Sequence, residues 1–114
     1  MRDEVKVWLE DITKAVSEIK FFLIDIADYQ QYQQDLKTKR AVERNVEIIG
    51  EAMTRILKAI PTVQISHSRN IVDTRNRIIH GYDDVSDAII WLITQKYLPL
   101  LEQEVNELLV DHDL

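Results

Sequence analysis

The chain has no cysteine, and only two glycines and two prolines among its 114 residues. Without cysteine there is no disulfide, no thiolate nucleophile and no cysteine-ligated zinc. So little glycine and proline leaves few tight turns, which argues against a sheet and for long helices. Long hydrophobic runs are missing too. The greasiest stretch, Phe21-Phe22-Leu23-Ile24, is broken by Asp25 and is far too short to span a bilayer. The opening Met-Arg-Asp-Glu-Val-Lys has no apolar signal core behind it, so a cytoplasmic protein is expected. The length suits one domain, residues 1–114, with a single core that needs no staples.

Positive charge is also scarce, with a net charge of −6, but it is unevenly placed. Between Gln64 and His80 stand Arg69, Arg75 and Arg77 against Asp73 alone, leaving a basic island on an acidic body. Such an island can hold a phosphate while the body avoids indiscriminate polyanion binding. An ordinary solvated arginine cluster has the same composition.

What the chain does contain is helical periodicity. Val5, Trp8, Ile12, Ala15 and Ile19 recur at threes and fours, which predicts a helix from residue 3 to the late twenties. The polar stretch 29–35 lacks that stripe and reads as a fraying end or a connection. A second helix is expected from 36–38 to Ile60, ended by Pro61, with Val42, Val46, Ile49, Met53 and Ile56 on its buried side. Glu43, Glu47 and Glu51 share one face of it. They lack the Glu-x-x-His pairing of carboxylate-bridged metal bundles, so no metal site is expected and an arginine-paired or solvated face is. A third helix, capped by Ser66 or Ser68, should run from 69–71 to His80 and stop at Gly81 in the left-handed conformation. Ser86 should cap the last helix, from 87 to 109–110, which Pro99 should kink or split. The fold class is therefore all-α, an antiparallel up-and-down bundle of four to five helices.

The reactive residues concentrate in Arg75-Asn76-Arg77-Ile78-Ile79-His80-Gly81-Tyr82. On an intact helix Arg75 and His80 point about 140° apart. They can converge if the helix ends at His80, or if Arg75 of one copy meets His80 of another across a twofold axis. Asn76, four residues before His80, is placed to orient the imidazole. An imidazole that moves protons, with a guanidinium that holds phosphate, suits cleavage of RNA through the ribose 2′-hydroxyl. A single imidazole is poorly placed for both proton transfers, which favours a dimer. A surface cation and a helix-end cap would look the same in sequence.

The block Arg40-Ala-Val-Glu-Arg-Asn-Val-Glu-Ile-Ile-Gly-Glu-Ala52, followed by Arg75-Asn-Arg-Ile-Ile-His-Gly-Tyr82, resembles the HepT-like branch of the HEPN domains. Trp91 and Tyr97-Leu-Pro-Leu-Leu101 look like that branch's final helix. The resemblance covers about residues 5 to 109. It implies a dimeric HEPN bundle acting as a metal-independent endoribonuclease without a cofactor, the toxin of a toxin–antitoxin pair. The implied partner is an MntA-type minimal nucleotidyltransferase that silences the toxin by AMPylation. Carried across, Arg75 and His80 are the implied catalytic pair and Tyr82 the AMP acceptor; Arg77 and Arg69, from the basic island, are the expected RNA-phosphate contacts. Assembly beyond a homodimer stays open. The alternative functions are a non-catalytic helical subunit that binds a nucleotidyltransferase, and a nucleotide-binding bundle. Ser68 and Asp73-Thr74 depart from the family pattern, and Asp73 is spaced to pair with Arg77.

Overall fold

Residues 2–81 and 86–111 are described in the computed structural model, and every regular element among them is helical. Six α-helices follow one another: α1 Asp3–Phe22, α2 Tyr29–Gln34, α3 Leu36–Ala59, α4 Ser68–Ile79, α5 Asp87–Leu92 and α6 Leu98–Val110. A π-helical turn, Ile93–Tyr97, joins the last two into one rod.

The expected stripe of α1 is buried at Val5, Leu9, Ile12, Ala15, Val16 and Ile19. That of α3 is buried at Val42, Val46, Ile49, Met53 and Ile56. The two helices run antiparallel. Val5 and Leu9 at the start of α1 line one apolar cavity of about 280 Å³ with Ile56 and Ile60 at the end of α3. Leu108 closes that cavity, while Lys20 at the far end of α1 meets Glu102 of α6 at 3.0 Å. So α1 and α6 are antiparallel as well. α4 folds back along α3, and the α5–π rod lies beside α4. This is the up-and-down bundle expected, 44 × 28 × 18 Å overall, with a short dimension about two helices thick.

Several local expectations need correction. The first helix ends at Phe22, not in the late twenties. The polar stretch after it is a helix in its own right, capped where Asp28 accepts from the Gln31 amide at 2.9 Å. Its Tyr32 is fully buried, and the ring packs 5.3 Å from that of Trp91. One aromatic anchor thus outweighs the missing stripe. Asp35 ends α2 and caps α3 by accepting from the Thr38 amide at 3.0 Å, a bond that lowers its carboxyl pKa.

Neither serine caps α4. Ser66 donates its backbone amide and its hydroxyl to Glu104, at 3.0 and 2.9 Å, and His67 takes the N-cap position without a side-chain bond. Ser86 does cap α5, its Oγ accepting from the Ile89 amide at 3.1 Å. Pro99 falls just after the π-helical turn, where the altered register accommodates a ring that lacks an N–H.

Candidate active site

The site is built on α4, and α4 is held close by a glycine. Gly50 lies within α3, where a lone glycine costs about 0.5–1 kcal/mol relative to alanine. The gain is proximity. A Cβ at Gly50 would collide with the Cβ of Arg75, would lie 2.7 Å from its Cγ, and would come within 3.3 Å of the Ile71 carbonyl. The stem of Arg75 therefore rests directly on the α3 backbone.

Arg75 is half-buried, and its Nε is enclosed without a hydrogen-bond partner. Its Nη1 donates to the Asn76 side-chain oxygen at 3.1 Å. The side-chain oxygen of Asn76, expected to orient the His80 ring, is engaged by the guanidinium instead. The Asn76 peptide oxygen accepts from the His80 amide at 3.1 Å, which keeps His80 in the last turn. His80 is the C-cap residue and is exposed, and Gly81 follows with φ 67°, the left-handed stop foreseen from its position.

Because α4 stays regular to Ile79, the angular argument applies. Arg75 points toward α3 while His80 projects about 140° around the helix. Arg77 is only about 60° from His80 on the other flank, and Arg69 shares the exposed side. Arg77, Asp73, Asn70 and Thr74 line a groove of about 250 Å³ whose opposite wall is Ile89, Leu92, Ile93 and Tyr97. Asp73 and Arg77 thus share one groove. Tyr82 lies outside the described residues, as do the turn formers at 83–85 and His112.

The carboxylate column on α3 is matched by arginines of the same helix. Arg40 meets Glu43 at 3.1 Å, Arg44 meets Glu47 at 3.5 Å, and Arg55 meets Glu51 at 2.9 Å. At the near end of α3, Lys39 pairs with Asp87 at 3.1 Å and ties α3 to the start of α5.

Sequence reasoning overlooked Gly50. Its signal was present, since a glycine inside an otherwise periodic helix commonly marks a close approach. The ring pair His67–Tyr97, with centroids 4.0 Å apart, left no such signal.

An exposed imidazole at a helix end, about 60° around the helix from the exposed Arg77, suits anionic substrates. The family described as "Ribonuclease HepT-like" matches residues 12–108. The chain belongs to this HepT-like ribonuclease family. It is similar to "Probable ribonuclease HepT" of Thermococcus cleftensis, 30% identical and covering 95% of this chain and 98% of that one. Two Methanocaldococcus jannaschii proteins, each named "Putative RNase", are 31% and 28% identical. They cover 90% and 96% of this chain, and 94% and 91% of their own lengths. No solved structure matches the chain. Among the described residues, no helix is long and apolar enough to cross a membrane.

Proposed function

We propose that this chain is a metal-independent endoribonuclease of the cytoplasm, the toxin of a toxin–antitoxin pair, with Arg75 and His80 as its catalytic pair. The observation that carries this reading is membership of a ribonuclease family in a chain whose exposed His80 ends α4 within five residues of Arg75 and three of Arg77. His80 removes the proton from a ribose 2′-hydroxyl. The resulting oxyanion attacks the adjacent phosphorus, and the 5′-oxygen leaves with a proton supplied by an imidazolium. The products are a 2′,3′-cyclic phosphate and a 5′-hydroxyl. Arg75 stabilises the charge that builds on the phosphoryl oxygens, and Arg77 and Arg69 hold neighbouring phosphates.

Two proton transfers call for two imidazoles, and the 140° between Arg75 and His80 makes their meeting within one copy awkward. A homodimer answers both needs. Ile79, 41% exposed next to His80, supplies apolar surface for it. AMPylation of Tyr82 by an MntA-type nucleotidyltransferase silences the enzyme, because it puts an anionic phosphate and a bulky base two residues from His80. There AMP competes with RNA for the arginines.

The test is cleavage of RNA in EDTA by the wild type, His80→Ala and Arg75→Ala. Loss of a general acid–base should lower the rate by about 10²–10⁴-fold while the melting curve stays unchanged. Equal cleavage by all three proteins removes the assignment.

A further inference from the structure

The groove beside Arg77 has a second end, where two aromatic rings are stacked. His67 and Tyr97 have centroids 4.0 Å apart and planes 6° apart. His67 is exposed and Tyr97 half-buried, so the imidazole is the outer ring of the stack. Its backbone has φ 59°, and it is the one non-glycine residue with positive φ among those described. It contributes no side-chain capping bond to α4. Left-handed backbone at a non-glycine residue is strained, and such strain clusters at functional positions.

The stack is held from both sides. Ser66 is anchored twice to Glu104, which fixes the chain just ahead of His67. Tyr97 closes the π-helical turn, and its hydroxyl accepts from Asn70 Nδ2 at 3.4 Å. From this stack Asn70, Thr74 and Arg77 continue along α4 at helical spacing, all lining the groove with Asp73. His80 follows Arg77 by three residues on a neighbouring flank. The thirteen steps from His67 to His80 cover about 20 Å, a span for a few nucleotides of extended strand.

We propose that this strip is a track for single-stranded RNA, in which an unpaired base stacks on the outer face of His67. The phosphate between that base and the scissile bond meets Arg77, and Asn70 and Asp73 meet base edges by hydrogen bonding. The apolar wall of Ile89, Leu92 and Ile93 takes sugar and base surface. The strand is single because a base inside a duplex already has both faces covered. This proposal rests on the reading of His80 as the cleavage site, which sets the direction of the track.

The decisive variant is His67→Gly. Glycine adopts φ 59° without strain, so the fold should be kept or slightly strengthened while the ring disappears. A labelled, fully 2′-O-methylated single-stranded oligonucleotide is the binding probe, since it has no free 2′-hydroxyl to react. His67→Gly should raise its Kd about 10-fold, the range of one lost base–aromatic stack, and leave the Kd of a duplex of the same sequence unchanged. Cleavage of a dinucleotide, too short to reach His67, should also be unchanged. Wild-type affinity in His67→Gly, equal weakening for single strand and duplex, or a loss explained by a lower melting temperature would overturn the track. Failure of the nuclease reading looks different: no cleavage of any RNA, with the single-strand binding difference intact.

Discussion

The two sides of this bundle are built to different standards. α1 and α3 bury their apolar stripes almost completely, with Leu9, Ile12, Ile19, Val46, Ile49, Met53 and Ile56 at no more than 1% exposure. α4 buries only Ile71 and Thr74, and α5 only Ile90. Ile79 on α4 and Ile89 and Leu92 on α5 stand about 40% exposed. Apolar burial is thus concentrated in the α1–α3 pair, and the candidate chemistry sits on a helix that packs closely on α3 but buries little apolar surface of its own. Local stability follows buried apolar contact, so α4 and α5 should open at lower free energy than the pair beneath. The tie that matters is Gly50 against Arg75, since it joins the strong layer to the reactive residue.

The sharpest way to break this comparison is to truncate one residue on each side. Ile12→Ala, in the middle of α1, should cost about 2–5 kcal/mol in urea unfolding. Ile79→Ala, on the exposed side of α4, should change stability by no more than about 0.5 kcal/mol. Comparable losses would mean the two regions share stability evenly.

A smaller effect tests the tie itself. Gly50→Ala gains helix propensity but forces a methyl into the Arg75 stem, and overpacking of this kind costs about 1–3 kcal/mol. Cleavage should fall more than the melting shift accounts for, because Arg75 is displaced. Unaltered cleavage would show that α4 can retreat without penalty.

The smallest effect belongs to Tyr32. Its ring is buried, and burial pushes the hydroxyl pKa well above the ordinary tyrosine value, with Glu43 and Asp87 adding to the shift. The hydroxyl has no hydrogen-bond partner. Tyr32→Phe removes an unsatisfied polar atom and keeps the packing on Trp91, so stability should be unchanged or higher by up to about 1 kcal/mol. A marked loss would mean that the hydroxyl is bonded in solution.

Much of this arrangement was legible beforehand, for identifiable reasons. The stripes of α1 and α3 are long, and period 3.6 is a strong signal over five turns or more. Gly81 and Ser86 were readable because a helix end has few chemical solutions. The errors fell where a tertiary contact overrode a local pattern. Tyr32 makes a helix of a glutamine-rich stretch by finding Trp91, which is far away in sequence. Ser66 leaves its expected cap because Glu104 offers two bonds. The expected split at Pro99 is present, as a π-helical turn that divides the last helix just ahead of it.

Periodicity and helix-end chemistry alone determined that this chain is all helical, where most helices stop, and that arginine and histidine gather near Gly81. Those properties depend on neighbours within one turn or two. Only the tertiary structure decided that Arg75 lies against Gly50, that its Nε is enclosed, and that His67 stacks on Tyr97. Each of these joins residues from different helices, and the crossing of two helices is set by their packed surfaces rather than by either sequence window.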